Sequence, residues 1–133
     1  MLMPPFELHH PQSVEDACVI AAGLLEAGEE FDWVAGGTDL IPNYKWHINT
    51  KPHVISLAKI AGIDSISMTE IGCMARLHDL AEGGNAHPLV AEAASKVASS
   101  LIRRNATLGG NLCLDTRCFW YNQTEEWRSS IDW

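Results

Sequence analysis

Positive charge is scarce in this chain, and that scarcity narrows the field most. Nine Lys and Arg stand against 17 Asp and Glu in 133 residues, a formal net charge of −8 at pH 7. Nucleic acids and anionic membranes are gripped through clustered Lys and Arg, so neither is expected as a partner. A long hydrophobic run is missing too: the longest apolar stretch, Ala17 to Leu25, is interrupted by Gly23 and is too short to cross a bilayer. The opening residues, Met1-Leu2-Met3-Pro4-Pro5-Phe6-Glu7, carry neither the basic segment nor the apolar core of a secretory signal, which leads to the expectation of a cytoplasmic protein. Cys18, Cys73, Cys113 and Cys118 are too few and too scattered for a disulfide scaffold. In a cytoplasmic chain the triplets Asn105-Ala106-Thr107 and Asn122-Gln123-Thr124 are chance matches to a glycosylation signal. Neither G-x-x-x-x-G-K-[ST] nor G-x-G-x-x-G occurs, which weakens a generic nucleotide-binding reading. The histidines show no H-E-x-x-H spacing and read as structural.

What is present is ordinary globular composition, 47% apolar and 20% charged, with enough chain for a real core. Phe6 to His9 alternates like a strand. Ser13, with Asp16 three residues on, caps a helix whose expected inner face is Val14, Ala17, Cys18, Ala21, Leu24 and Leu25, and Gly28 stands at its end. Asp32 to Ala35 reads as a short buried strand that runs into Gly36-Gly37. A helix capped by Thr38 or Asp39 then extends to about Trp46, and His53 to Leu57 forms the next strand. This β-α-β-α-β order predicts an α/β fold. Residues 60–66 are turn-rich. Ile66–Met68 and Glu70–Cys73 are expected as short strands, Leu77–Ala81 as a brief helix, and Pro88 opens a helix with Leu89, Val90, Ala93, Ala94 and Val97 on one face. Phe119, Trp120, Tyr121, Trp127 and Trp133 crowd the last segment with no element to hold them, and such aromatics need something to pack against.

Two glycine-bearing segments carry the functional signal. In Ala35-Gly36-Gly37-Thr38-Asp39-Leu40 a strand ends, two glycines turn the chain and a helix begins. Bare backbone N–H groups there, with the helix dipole, favour an anion such as phosphate. Asp39 has the wrong charge to touch phosphate and reads as support for the helix start; a plain left-handed turn capped by Thr38 explains the same residues. In Thr107-Leu108-Gly109-Gly110-Asn111, Thr107 offers a hydroxyl, Gly109 and Gly110 bare backbone, and Asn111 an amide. Arg103 and Arg104 stand near enough to offset phosphate charge, or are solvated surface arginines. Two such loops in one small chain suggest closure on one pyrophosphate, hence a dinucleotide.

The string Val34-Ala35-Gly36-Gly37-Thr38-Asp39-Leu40-Ile41-Pro42, followed by Ile102-Arg103-Arg104-Asn105-Ala106-Thr107-Leu108-Gly109-Gly110-Asn111-Leu112-Cys113, closely resembles the FAD-binding subunit of the molybdenum hydroxylases, the xanthine dehydrogenase and carbon monoxide dehydrogenase group. Pro88 to Ala94 is similar to the helix that precedes the second loop, so the resemblance spans essentially the whole chain. It implies an FAD-binding fold of the p-cresol methylhydroxylase type with two small subdomains, residues 1–58 and 59–133, the second incomplete. It also implies electron exchange between flavin and the iron–sulfur centres of one partner subunit, linked to the molybdenum cofactor of another. The protein positions and tunes the flavin; no side chain stands out as acid or base. Asn111-Leu112-Cys113-Leu114-Asp115-Thr116-Arg117-Cys118 is further similar to the flavin subunit of 4-hydroxybenzoyl-CoA reductase, whose inserted loop holds a [4Fe–4S] cluster. Cys118 falls at the first ligand of that cluster. A cluster needs four thiolates, and the other three are not here, so none is expected in this chain alone. Relatives are expected to be longer, and Met68–Gly72 is short where they carry a fuller hairpin. A reading of a different class is therefore a non-catalytic remnant that folds, holds no flavin and at most docks on a partner.

Overall fold

The computed structural model describes residues 2–115 and 124–131. Its first part alternates strand and helix: β1 (Glu7–His9), α1 (Val14–Glu26), β2 (Phe31–Val34), α2 (Leu40–Lys45) and β3 (His53–Ser56). The strands form one three-stranded sheet in the order β1-β3-β2, with both pairings parallel. Parallel neighbours cannot be joined by a hairpin, so α1 and α2 serve as the crossovers. The central strand is the most deeply packed, with Val54, Ile55 and Ser56 all buried.

Local chemistry sets the helix bounds. Ser13 Oγ accepts the Asp16 N–H at 3.1 Å and starts α1. The helix stops at Ala27, and Gly28 takes φ +73°, the left-handed conformation that glycine adopts at least cost. The inner face of α1 is centred on Ala17, Ile20, Ala21 and Leu24, whereas Val14, Cys18 and Leu25 are exposed. The broader apolar stripe expected from periodicity is corrected here: the buried centre of α1 is alanine, with Ile20 and Leu24 partly covered beside it and Val14, Cys18 and Leu25 in solvent.

One side chain ties this part together. Tyr44, in α2, is almost fully buried; its Oη donates to Asp32 Oδ2 of β2 at 2.8 Å and accepts the Lys51 N–H at 3.0 Å. Its ring meets Phe6 edge-on at 5.5 Å, just before β1. Burial, more than the neighbouring Asp32 carboxylate, pushes the Tyr44 hydroxyl up to about 12.

Beyond β3 the chain is helical and looped: α3 (Leu77–Glu82), α4 (Pro88–Ser95), α5 (Ser100–Arg103), α6 (Leu108–Leu112) and α7 (Glu125–Ser129). A second core forms from Ala75, Leu77, Leu80, Ala86, Ala94 and Ala106, with Val90, Val97 and Leu108 against it. On α4, Leu89 and Ala93 face solvent, against expectation, because the turn of the helix that meets α3 carries Val90, Ala91 and Ala94. The strands expected at Ile66–Met68 and Glu70–Cys73 reduce to one antiparallel bridge, Ile66 to Ile71. Ser67 Oγ accepts the Glu70 N–H at 2.9 Å, closing a tight turn that leaves no room for a longer ladder. Trp127, expected to lack any element, is half-buried within α7, which Thr124 caps by accepting the Trp127 N–H at 3.2 Å. Phe119, Trp120, Tyr121 and Trp133 lie outside the described residues.

Tyr44→Phe removes both hydroxyl bonds and leaves the Lys51 N–H and the Asp32 carboxylate without that partner. A loss of about 1–3 kcal/mol in urea unfolding is expected. The tyrosine pKa is raised from 10.0 to about 12 in the folded chain. Folding therefore favours the neutral form, and its contribution is complete below the unfolded value and lost as pH rises from there towards the folded one. The wild type should lose stability more steeply than Tyr44→Phe in that alkaline window, measured by urea unfolding at stepped pH.

Candidate functional site

The two glycine segments meet. A Cβ built on Gly36 would lie 1.9 Å from the carbonyl oxygen of Asn105 and 3.3 Å from Ala106 Cα, so the backbone of the first segment rests directly on the two residues that lead into the second. A Cβ on Gly110 would stand 3.7 Å from Ala35 Cβ, a further point of contact. Between them opens a cleft of about 290 Å³, lined by Ala35 and Gly36 from one side, Asn105 and Thr107 from the other, and Asp64 and Arg76 at its charged margin. Leu57, Ala58, Ile60 and Met74 complete its wall.

The first segment keeps its donors. Gly37 turns the chain at φ +69° into α2. Among the described residues the N–H groups of Gly36, Gly37 and Thr38 donate to nothing, while the Ile41 N–H closes back on the Gly37 carbonyl at 3.1 Å. Asp39 takes the position before α2, but its carboxylate bonds no helix N–H; instead Asn43 Nδ2 donates to Asp39 Oδ2 at 3.0 Å. Thr38 is exposed and does not cap, and Leu40 is the first helical residue.

The second segment is built differently from the expected glycine turn. Gly109, Gly110 and Asn111 lie inside α6, and neither glycine has positive φ. Thr107, buried, caps this helix by accepting the Gly110 N–H on Oγ1 at 3.2 Å. The Gly109 N–H donates to Cys73 O at 2.8 Å, and the Asn111 N–H to Thr107 O at 3.0 Å. The bare backbone expected here is thus already engaged. Gly109 is needed for packing: a Cβ there would stand 2.7 Å from Cys73 Cβ. The segment is pinned by an antiparallel bridge between Arg76 and Thr107, with Leu77 N–H on Ala106 O at 2.9 Å and Leu108 N–H on Ala75 O at 2.8 Å. With α2 and α6 no longer than six residues, aligned peptide dipoles add little to either segment.

Of the predicted site residues, Ala35, Gly36 and Thr107 line the cleft; Gly37, Thr38, Asp39, Leu40, Gly109, Gly110 and Asn111 follow or support them. The cation that sequence reasoning missed is Arg76. It sits one residue before α3, and only its pairing opposite Thr107 carries it to the cleft, a long-range contact that no local pattern announces. Arg103 is engaged elsewhere. Its Nη1 donates to Val97 O at 2.9 Å and to Ala98 O at 3.1 Å, holding the chain after α4, where Ala98 has φ +46°. Arg104 is exposed and off the cleft. Cys18, Cys73 and Cys113 are exposed free thiols, and Cys118 lies outside the described residues.

A family model described as the FAD binding domain in molybdopterin dehydrogenase matches residues 4–118. Carbon monoxide dehydrogenase medium chain of Hydrogenophaga pseudoflava is 32% identical over 119 residues, covering 84% of this chain and 40% of that protein. Xanthine dehydrogenase FAD-binding subunit of Escherichia coli O157:H7 is 30% identical over 101 residues, 70% of this chain and 35% of the relative. The solved Hydrogenophaga carbon monoxide dehydrogenase lacking the Mo-pyranopterin moiety superposes with a TM-score of 0.75 at 31% identity, over 84% of this chain and 40% of that one. The chain therefore spans about 40% of the length of the first relatives it matches. It belongs to the FAD-binding domain family of the molybdopterin dehydrogenases, with that family's α/β fold and FAD as its cofactor.

Two glycines in one segment separate by mechanism. Gly36→Ala drives a methyl into the Asn105 carbonyl and should cost about 1–3 kcal/mol or more as the two segments part. Gly37→Ala meets side chains rather than backbone, Ile41 at 3.1 Å and Val34 at 3.6 Å, and carries mainly backbone strain of about 1–2 kcal/mol. Gly23→Ala, in open space on α1, should instead stabilise by roughly 0.5–1 kcal/mol in the same urea unfolding series.

Proposed function

With that family membership as the premise, we propose that this chain is the FAD-binding subunit, or the N-terminal portion of one, in a molybdenum-hydroxylase-type oxidoreductase. One observation carries the placement of the cofactor. The N–H groups of Gly36, Gly37 and Thr38 have no acceptor among the described residues, and Gly36 lines a cleft shared with Asn105 and Thr107. Unengaged amides beside an open cleft fit a pyrophosphate. Thr107 Oγ1 accepts from Gly110 yet keeps its own proton to donate, and Arg76 supplies a positive charge at the margin. Gly109, Gly110 and Asn111 enter this reading as the scaffold that sets Thr107 against Ala35 and Gly36.

When bound, FAD supplies the electron exchange; these residues bind its phosphates and orient the rest. Residues 1–58 and 59–133 are read as two subdomains that share the cofactor. An iron–sulfur subunit and a molybdenum-cofactor subunit are the proposed partners, in line with the multi-subunit enzymes named among the relatives. The finer reading, a likeness to 4-hydroxybenzoyl-CoA reductase, rests on Asn111 to Asp115 and on Cys118 as a single cluster ligand. The exposed thiols of Cys18, Cys73 and Cys113 suit the reducing cytoplasm, the proposed compartment. No helix of the described residues is long and apolar enough to cross a membrane.

FAD titration of the purified chain, followed by flavin fluorescence and visible absorbance, tests the proposal. Stoichiometric binding is expected, weakened at least about tenfold in Gly37→Val and in Arg76→Gln, the loss of one charge-assisted contact. Circular dichroism should show both variants folded. A folded wild-type chain that takes up no FAD, or variants that bind it unchanged, would overturn the assignment of these residues.

A further inference from the structure

Along β1 and at the start of β3, away from the glycine segments, three metal-competent side chains converge. Glu7 and His9 are two residues apart on β1 and so share one face of the sheet. In the parallel register Glu7 is paired with His53, which puts His53 on that same face. His9 Nε2 and His53 Nδ1 lie 3.1 Å apart, with both side chains less than a fifth exposed. The Glu7 carboxylate closes the triangle, Oε1 at 3.9 Å from His9 Nε2 and Oε2 at 3.7 Å from His53 Nδ1. All three donor atoms fall within 4.8 Å of one another.

We propose that Glu7, His9 and His53 form a binding site for a divalent first-row transition metal of the zinc type. Two imidazole nitrogens at about 2.0–2.1 Å from a tetrahedral ion stand roughly 3.3 Å from each other, so the pair observed at 3.1 Å is almost in place. Glu7 has only to swing in by about half an ångström for the same geometry, and its side chain is 67% exposed and free to do so. Two nitrogens and one carboxylate oxygen select zinc-like ions over magnesium or calcium, which prefer all-oxygen shells. Both rings bind as neutral imidazoles. Without metal one of the facing nitrogens must carry the shared proton; on binding that ring takes its other tautomer, and both lone pairs face the ion. Water completes the shell on the exposed side. The ligands come from two adjacent strands of a rigid sheet, so the ion would clip the three-residue edge strand β1 to the central strand. This site is independent of the flavin reading, since Glu7 and His53 begin their strands whereas Gly36 follows the end of β2.

The test is titration of the metal-free full chain with Co²⁺ at pH 7.5, followed by visible absorption, then displacement by Zn²⁺. One equivalent should bind with the intense bands of a tetrahedral nitrogen–oxygen site and without sulfur-to-cobalt charge transfer. Affinity should fall at least about 100-fold in His9→Ala and His53→Ala and at least about tenfold in Glu7→Gln, as befits direct ligands. His10→Ala, exposed and next in sequence, should leave binding unchanged. Zn²⁺ should raise the thermal midpoint of the wild type but not of the histidine variants. Glu7→Gln keeps the fold testable if a histidine variant fails to fold. Absence of saturable binding at submillimolar metal, binding unchanged in the variants, or a thiolate signature would overturn the proposal.

Discussion

The cleft exists because two stretches of backbone touch where a side chain would keep them apart. Gly36 rests on the Asn105 carbonyl with no space for even a methyl group. That contact fixes the distance between Ala35 and Thr107, and so the width of everything between them. Asn105 is in turn held by the bridge that pairs Thr107 with Arg76, which belongs to the second core through Ala75 and Leu77. A residue whose glycine character looks like an accommodation for a ligand is therefore an accommodation for the protein itself. The Gly36 N–H that the proposed function assigns to phosphate is left free by the same bare backbone.

The acidic surface and the local chemistry of the cleft point in opposite directions. A chain of net charge −8 repels anions at long range, so a phosphate-bearing cofactor must be held by short-range donors. In the proposed reading those donors are three amides, one hydroxyl proton and one guanidinium, and Asp64 shares the cleft wall with them. The histidine–carboxylate triangle on the sheet relies on the same principle of few groups well fixed, with strand register doing the positioning instead of a turn.

Much of the first half is legible in sequence because its signals are local. Ser13, Gly28 and the alternation around Phe6 and Val54 each act within a few residues, and they yield the β-α-β-α-β order directly. The residues of the first glycine segment are legible for the same reason. What cannot be read depends on contacts between distant parts. Thr107 reads as a hydroxyl donor, but its capping of α6 and the engagement of the Gly109 N–H by Cys73 follow from a pairing that spans α3, α4 and α5. Arg76 enters the cleft by that same pairing, while Arg103, nearer in sequence to the glycines, is drawn off to two carbonyls. On α1 periodicity makes the stripe too wide, because it counts Val14 and Leu25 equally with Ala17 and cannot tell which face a sheet will cover. The histidines give no signal along the chain because their grouping is made by register between strands, not by spacing along one.

The strand order has a consequence for how the chain comes off the ribosome. The strand made last, β3, is the only one that pairs with both others, so β1 and β2 have no hydrogen-bonding neighbour when they first emerge. Residues up to Ser56 must all be outside the exit tunnel before any of this sheet can assemble, and the seating of Gly36 waits further, for Asn105. The sheet therefore cannot form strand by strand behind the growing end; it closes in one step after β3, and the contact of Gly36 with Asn105 follows as a second, longer-range step. A pause in translation soon after β3 would give this part time to close, and one placed earlier would hold two open strand edges in search of company.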